Sequence, residues 1–540
     1  MPISVRTPLA LLLVSLCAIA AVWWWIAMPV DLVRAPISPA AKLECVSYAP
    51  FRGDQSPQMA TLVVPPGQIA DDLAQLATIS KCVRTYAVDN GLDRVPELAS
   101  KVGLKVMLGV WISGNRAKNA QQIATAVALA DQYPDVISAV VVGNEVLLRG
   151  EMTPGDLVAA IGALKAQVRV PVTYADVWEF WLRYREVVRA VDFITIHILP
   201  FWEDFPVKAS RAAAHVDAIR KRMVAAFPDK EIFIGETGWP SAGRMREGAL
   251  PSRTNQARVV AEILDLAAHE NFRVNLIEAY DQPWKRRWEG TVGGYWGLFD
   301  ADHRSLKYPA GIAVSNFPFW RWQMGAGLAY CLLVFTVAWR SLRRRPWSPR
   351  PSAWLAVAVS ATVGGALVGL TIEKMAVESL GVGGWLHWGA LGAAAVAAPL
   401  FAAQALMRGR PLPAFVDLIG PAPGRRRSLR AYALGATLLV TTLIAAETAL
   451  GFVFDPRYRD FPFAALSMAV VPLFCLMWLN RPHDGERPMA ESVFAGLLAL
   501  SAVYIGFNEG GANWQSLWTC ALYLLLALTL WRARAAQSRG

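Results

Sequence analysis

The stretch ISAVVVGNE, residues 137–145, is a β-branched run that stops, after one glycine, on Asn144 and Glu145. A short, unbroken apolar run reads as a strand covered on both faces, the form strands take in a parallel sheet. A carboxylate at the end of such a strand is costly unless it has a partner or a task. EIFIGE, residues 231–236, repeats the pattern and stops on Glu236.

Further candidate strands lie on either side of these two: 43–48 (LECVSY), 82–86 (CVRTY), 104–110 (LKVMLGV), 170–175 (VPVTYA), 192–197 (DFITIH) and 274–280 (VNLIEAY). Amphipathic stretches such as NAQQIATAVALADQY and NQARVVAEILDLAAH separate them. Strands alternating with helices imply βαβ units. Eight such units in about 250 residues fit a closed (β/α)₈ TIM barrel. A doubly wound open sheet is the alternative, but no G-x-G-x-x-G follows the first strand and no P-loop occurs. In a barrel of this kind the chemistry sits at the C-terminal ends of the strands, where Glu145 and Glu236 fall.

The remainder of the chain has a different character. Of 540 residues, 55% are hydrophobic, and the mean hydropathy is +0.33. Residues 35–315 have an ordinary globular mixture, whereas long apolar runs dominate residues 316–540. Leu9 to Met28 is about the ~20 residues a spanning helix needs, with Arg6 before it and Trp23, Trp24 and Trp25 at its far end. It reads as a signal anchor, since no A-x-A-like site ends it cleanly. Later apolar runs lie near 322–339, 353–372, 384–407, 431–454, 462–480, 489–507 and 514–532. The expected organisation is an N-terminal anchor (1–34), a barrel (35–315) and an α-helical transmembrane domain of about seven helices (316–540).

The loops alternate in charge. Arg340, Arg343, Arg344, Arg345 and Arg350 share one loop, and Arg408, Arg410, Arg425, Arg426, Arg427 and Arg430 another. Arg481 and Arg487 come next, and Arg532, Arg534 and Arg539 end the chain. The intervening loops carry Glu373, Glu378, Asp455, Asp460 and Glu509. The positive-inside rule puts the arginine loops and both termini in the cytoplasm and the barrel outside it. The expected location is therefore the cytoplasmic membrane, with the barrel on its outer side and the bilayer as a partner. The same placement explains the net charge of +11 without nucleic acid. Glu447, inside an apolar run, is either a functional group or a residue reaching water or a neighbouring helix.

Six cysteines show no CxxC pair and no metal spacing. Cys17, Cys331, Cys475 and Cys520 fall in apolar runs. Cys45 and Cys82 read as two separate core thiols, with a disulfide the alternative if that part is exported. No metal and no cofactor is implied.

Two carboxylates at one barrel mouth can divide the work of glycosidic cleavage, provided their surroundings push their affinities for protons apart. Glu145, on the fourth strand, is expected as general acid/base, and Glu236, on the seventh, as nucleophile. Asn144 could hydrogen-bond a sugar 2-hydroxyl. Tyr48, Tyr86, Tyr174, Trp178, Trp202, Trp239 and Trp284 crowd the same loops, and sugar rings pack their C–H faces on such side chains. His197, ending the sixth strand, is expected to line the pocket.

Around these residues the sequence resembles glycoside hydrolase family 17, the β-1,3-glucanases and β-glucanosyltransferases. The matching pieces are the Tyr48 strand, VRTY (83–86), VMLGVW (106–111), VVVGNEV (140–146), IGETGWPSAG (234–243), EAYDQPWK (278–285) and YWGLFDADHRSLKYP (295–309). They cover most of 43–310, and VGNE and GETGWP are the specific ones. The resemblance implies a retaining (β/α)₈ enzyme with acid/base Glu145 and nucleophile Glu236, and it places Glu278 and Lys285 near the cleft. The sequence departs at Gln282, where relatives often carry Glu. Membrane-fused bacterial relatives imply periplasmic β-1,3/β-1,6-glucan synthesis or remodelling, with β-glucan as substrate and other glucan synthesis or export proteins as candidate partners. Transfer to a sugar is the leading expectation. A plain endo-β-1,3-glucanase and a non-catalytic glucan-binding or export component are the alternatives.

Overall fold

A computed structural model describes residues 6–38, 41–308, 311–342, 350–419, 428–480 and 487–535. The chain forms two compact units, Pro29–Ser315 and Met1–Met28 with Asn316–Gly540.

The first unit is a closed eight-stranded barrel with every neighbouring pair parallel. Its strands are β1 (Cys45–Ser47), β2 (Cys82–Arg84), β3 (Lys105–Val110), β4 (Ile137–Asn144), β5 (Val172–Val177), β6 (Ile194–His197), β7 (Ile232–Thr237) and β8 (Val274–Leu276). All eight expected strands are present in order, and the TIM-barrel class holds. The unbroken apolar runs result from burial on both faces: every residue of β6 and β7 is buried. Expected strand 274–280 is cut short because beyond Leu276 the backbone leaves the regular ladder. Glu278 N donates to Trp296 O and Ala279 N to Ser47 O instead.

The two amphipathic stretches form helices Arg116–Gln132 and Arg253–Glu270. Asn115 caps the first by accepting from Lys118 N, and Ser252 caps the second by accepting from Asn255 N. Such caps satisfy amides that the helix itself leaves unpaired. The second helix buries Gln256, Val260, Ile263 and Ala267, a spacing of three to four residues that keeps one face on the barrel. Outside the barrel wall, Val30–Asp31 and Ala313–Val314 pair as a short antiparallel ribbon.

Cys45 and Cys82 form a disulfide, which corrects the reading as separate thiols. The reason is register: β1 and β2 pair Val46 with Val83, so the preceding residues lie side by side.

The second unit is helical. Its long helices are Arg6–Ile26, Trp320–Leu342, Pro351–Glu378, Gly381–Met407, Leu429–Phe454, Phe463–Leu479, Met489–Glu509 and Trp514–Ala535. Among the described residues, seven helices are long and apolar enough to cross a membrane, and Phe463–Leu479 is a shorter apolar helix. The N-terminal helix belongs to this unit: Ile19 and Trp23 are fully buried in its core, and Trp23 meets Phe317 edge-on. Gly327 and Gly365 bring two helices into backbone contact, since a Cβ on Gly327 would overlap Gly365 O. Small residues allow this close packing in apolar surroundings.

Glu447 reaches His387 Nδ1 at 3.3 Å and Arg459 Nη1 at 3.4 Å, so it pairs with a neighbouring helix and loop. Arg487 lies in its loop as expected, but its side chain is buried against Glu491. It also donates to Leu412 O and Pro413 O, while Glu491 accepts from Phe415 N. The expected cytoplasmic cations Arg343, Arg344, Arg345, Arg425, Arg426, Arg427, Arg481 and Arg539, and the side chain of Arg534, lie outside the described residues.

Candidate active site

The ladders slip in register at the ends of β4, β6 and β7, between Val141 and Asn144, Ile196 and His197, and Ile234 and Thr237. Irregularities of this kind re-aim side chains at barrel rims. They turn Glu145, His197 and Glu236 toward one another. Gly143 (φ +89°) makes the turn before Glu145, and a Cβ there would strike Val146 at 2.7 Å. Glu145 itself has φ +53°, a left-handed conformation that a non-glycine residue holds only when its surroundings over-determine it. Here Glu145 N donates to Ala175 O at 2.7 Å, and Arg149 grips the preceding carbonyl, Asn144 O.

Arg84, fully buried on β2, is the hub. Its Nη1 donates to Gly235 O at 2.7 Å and to Glu236 Oε1 at 3.2 Å, and its Nη2 donates to Asn144 Oδ1 at 2.6 Å. Tyr86 donates to the same Glu236 oxygen at 2.9 Å and meets Ser47 Oγ at 2.8 Å. Among the described residues every hydrogen bond to the Glu236 carboxylate therefore converges on Oε1. His197, 1% exposed, stands between the two glutamates. Its Nδ1 is 2.8 Å from Glu145 Oε1 and its Nε2 3.5 Å from Glu236 Oε1.

Burial pushes the Glu145 carboxyl up, but the hydrogen bond and charge of His197, with Arg149 and Arg84, outweigh it and leave the group below the usual carboxylate range. Burial, reinforced by the Glu236 charge, keeps the Tyr86 phenol protonated far above its ordinary range, so it remains a donor.

Glu278 and Lys285 form a second buried pair, Nζ to Oε2 at 2.8 Å. Burial pushes Glu278 up to about 7 despite the lysine. The charge of Lys285 also acts on Glu236, and Glu289 acts on both Glu145 and Glu236. The departure at Gln282 thus has a structural account. Gln282 is fully buried, donates to Ala49 O at 3.0 Å and accepts from Trp284 Nε1 at 2.9 Å; Glu278 holds the lysine.

The structure gathers Tyr86, Asn144, Glu145, His197 and Glu236 around Arg84, with Glu278 and Lys285 alongside. Tyr48, Tyr174 and Trp239 are different. Each is 1% exposed or less, so these three aromatics pack in the barrel rather than face a cleft. Tyr48 donates to Asp72 at 3.1 Å, Tyr174 donates to Asp176, and Trp239 donates to Leu250 O at 3.0 Å. His197 is buried to the same degree, between the two carboxylates rather than on an exposed surface. Trp178, Trp202 and Trp284 keep partial exposure, with Arg222 over the Trp178 ring and Arg246 over Trp202.

Two site residues escaped the sequence reading. Arg84 lies inside VRTY, where a charge in an apolar strand was signal enough. Asp176 lies one residue past the expected end of its strand, which continues to Val177. It accepts from Tyr174, from Val177 N at 2.8 Å and from Leu148 N at 3.4 Å, tying the segment after Glu145 to β5. Burial, with the nearby Glu145 charge, pushes its carboxyl up to about 6. A raised carboxyl favours folding most while protonated in the native state. That contribution is complete below the ordinary value of 3.8 and lost as pH rises through about 6. Asp176→Asn, a neutral mimic of the protonated acid, should accordingly lose less melting temperature than the wild type between pH 4 and 7. Parallel pH profiles for the two proteins would refute this.

Glu145, His197 and Glu236 offer atoms within 4.8 Å of one another, a spacing that could also admit a cation. The Arg84 guanidinium already sits 3.2 Å from Glu236, and a second positive charge beside it would be repelled. The donor set fits a charge-balanced pair of carboxylates better than a metal centre.

Residues 45–297 match the family model described as a BtgE/BtgC glycoside hydrolase domain. The chain is 30% identical over 225 residues to the probable beta-glucosidase btgE of Aspergillus fumigatus, which covers 40% of this chain and 39% of that protein. It is 27% identical to the glucan 1,3-beta-glucosidase of Candida albicans, over 44% of this chain and 84% of that one. The chain thus spans about two fifths of the length of the first of these curated relatives. The glycoside hydrolase family 17 beta-1,3-glucanosyltransferase of Rhizomucor miehei matches at 24% identity and a TM-score of 0.44, covering 50% of this chain and 96% of that structure.

Proposed function

We propose that the chain is a retaining β-glucan-active enzyme that works through a covalent glycosyl-enzyme, with Glu236 as nucleophile and Glu145 as general acid/base. The observation that carries this is the approach of the two carboxylates, whose oxygens come within 4.8 Å of each other. Retaining enzymes hold their carboxyl groups about 5–5.5 Å apart, whereas inverting ones leave about 6.5–9.5 Å for a water. The match of residues 45–297 to a glycoside hydrolase domain supports the same reading.

In this mechanism Glu236 attacks the anomeric carbon while Glu145 protonates the departing oxygen. Arg84 and Tyr86 hold Oε1 of Glu236 and leave Oε2 for the new bond. Asn144, its Oδ1 taken by Arg84, has its amide nitrogen to offer a sugar hydroxyl. Glu145 then removes a proton from the acceptor as the glycosyl-enzyme is resolved. Trp178, Trp202 and Trp284 are the aromatic surfaces left for sugar faces, with Lys285 and Glu278 contributing beside them.

The acceptor is a sugar hydroxyl, which makes the enzyme a β-1,3-glucan glucanosyltransferase in periplasmic β-1,3/β-1,6-glucan synthesis or remodelling. The union of the barrel with several membrane-length helices supports this, since a degradative enzyme gains little from them. The proposed placement is a multi-pass inner-membrane protein with a signal anchor and the barrel outside. The Cys45–Cys82 disulfide supports an oxidising side. The test is the full chain in detergent with defined β-1,3-gluco-oligosaccharides, its products followed by mass spectrometry and linkage analysis. Products longer than the substrate are expected. Only shorter products at every acceptor concentration would make it a hydrolase, and no products would leave a binding or export component.

A further inference from the structure

We infer that Tyr174, together with Asp176, is a positioning residue for the general acid/base, holding from β5 the turn that carries Glu145. The inference rests on the assignment of Glu145 as acid/base and adds to it what keeps that carboxylate in place.

The backbone around Glu145 is irregular on both sides. Gly143 has φ +89° and Glu145 itself φ +53°, and the β4–β5 ladder slips between Val141 and Asn144. A left-handed glutamate persists only where its surroundings fix it. Three consecutive residues of β5 do so. Ala175 O accepts from Glu145 N at 2.7 Å. The Tyr174 hydroxyl accepts from Leu147 N at 3.0 Å, and Asp176 Oδ2 accepts from Leu148 N at 3.4 Å. Tyr174 donates its own proton to Asp176, so the two side chains act as one unit. The Tyr174 ring reaches the other side of the turn as well, since a Cβ on Gly143 would lie 3.4 Å from its Cε2. Tyr174 therefore brackets Glu145, its ring against the residue two before and its hydroxyl on the residue two after.

The ring is itself fixed. Trp181 packs on it with centroids 5.5 Å apart, and Trp181 Nε1 donates to Thr195 O of β6 at 3.0 Å. Tyr174 and Trp181 are each 1% exposed, so neither offers a face to a sugar. What Tyr174 supplies is place. Without its hydroxyl, Leu147 N becomes a buried donor with no acceptor, which is costly, and the turn can recover a partner only by moving and taking Glu145 with it. Displacing a reacting group by about 1 Å can cost about 10²-fold in rate. Glu236 is held separately, by Arg84 and Tyr86, so the loss falls on proton transfer alone.

The experiment compares the full-length wild type, Tyr174→Phe, Glu145→Gln and the double variant in detergent at pH 7. Each is assayed for kcat/KM on a β-1,3-gluco-oligosaccharide and on a 2,4-dinitrophenyl β-1,3-gluco-oligoside, whose leaving group departs without a proton. Phenylalanine keeps the ring and removes only the hydroxyl. Tyr174→Phe should lower kcat/KM about 10²-fold on the first substrate and less than about threefold on the second. In the Glu145→Gln background the same change should add less than about threefold on the first. Equal losses on both substrates, as a merely structural tyrosine would give, no loss on either, or independent losses in the double variant would overturn the positioning role. If Tyr174→Phe does not fold, Asp176→Asn takes its place. Its amide nitrogen must face one of the donors that the carboxylate accepts, so the same skew between substrates is expected, and an equal loss or none overturns the inference. A wild type inert on both substrates, or Glu145→Gln with equal losses on both, removes the acid/base assignment and the inference with it. A skewed Glu145→Gln beside an unskewed Tyr174→Phe removes only the positioning role.

Discussion

Glu236→Gln in the full chain is expected to lose about 10⁴-fold or more of its turnover on β-1,3-gluco-oligosaccharides, a loss on the scale of deleting a nucleophile that works as a unit with its base. Glutamine keeps the shape of the side chain and can still accept from Arg84 and Tyr86 through its carbonyl oxygen. What it cannot do is form the glycosyl ester. The variant should therefore fold, bind oligosaccharide with a dissociation constant near the wild-type KM for the first step, and turn over almost nothing. Glu236→Ala with added azide offers a sharper reading. A small anion entering where the carboxylate stood should attack the same face and give an α-glucosyl azide, opposite in configuration to the wild-type product. Undiminished turnover in Glu236→Gln would remove the nucleophile assignment and with it the retaining mechanism.

Arg84→Met should be the most destabilising change at the site. The guanidinium is buried to 1% and binds three acceptors on two strands: Glu236 and Gly235 O of β7 and Asn144 of β4. Methionine fills similar volume but removes the countercharge of Glu236 and the donor to Asn144 Oδ1, leaving Tyr86 and Asn275 as the remaining donors to Glu236 and Gly235 O. Removing one partner of a buried ion pair costs about 3–5 kcal/mol, roughly 5–8 °C in melting temperature for a domain of this size. Arg84→Lys should recover little, since a single ammonium cannot reproduce a fork held in two directions. Activity should fall in both, because Asn144 and Glu236 lose the group that holds them in register. A lysine variant with wild-type melting and turnover would show that charge alone suffices.

The barrel was readable because a parallel sheet covered on both faces leaves short apolar runs, clearest in ISAVVVG and IFIG, and such β-branched runs alternate with helical stretches along the chain. Glu145 and Glu236 were readable because each ends such a run. Asp176 ends one too, and was passed over only because its strand runs two residues past the expected boundary. The aromatics were harder. Tyr48, Tyr174 and Trp239 lie near strand ends as expected, but sequence position does not tell which way a side chain points where the ladder slips, and one residue of slip exchanges the faces of a strand. Pairing of Cys45 with Cys82 became visible only once β1 and β2 were known to be neighbours. Arg487 does lie in a loop, as read, but its burial was not legible: its partner Glu491 is in the first turn of the next helix, and the carbonyls it binds come from a distant segment.

The ribbon between Val30–Asp31 and Ala313–Val314 has a bearing on how such a chain could have arisen and could be rebuilt. By pairing Val30 with Val314, it makes the entrance and exit of the barrel adjacent, so that nearly three hundred residues occupy the chain as a cassette with a narrow doorway. Insertions with neighbouring ends are tolerated because the host loses little chain entropy in carrying them. The barrel can therefore be exchanged, removed or circularly permuted at that doorway, and each of its strands keeps the partners it has now.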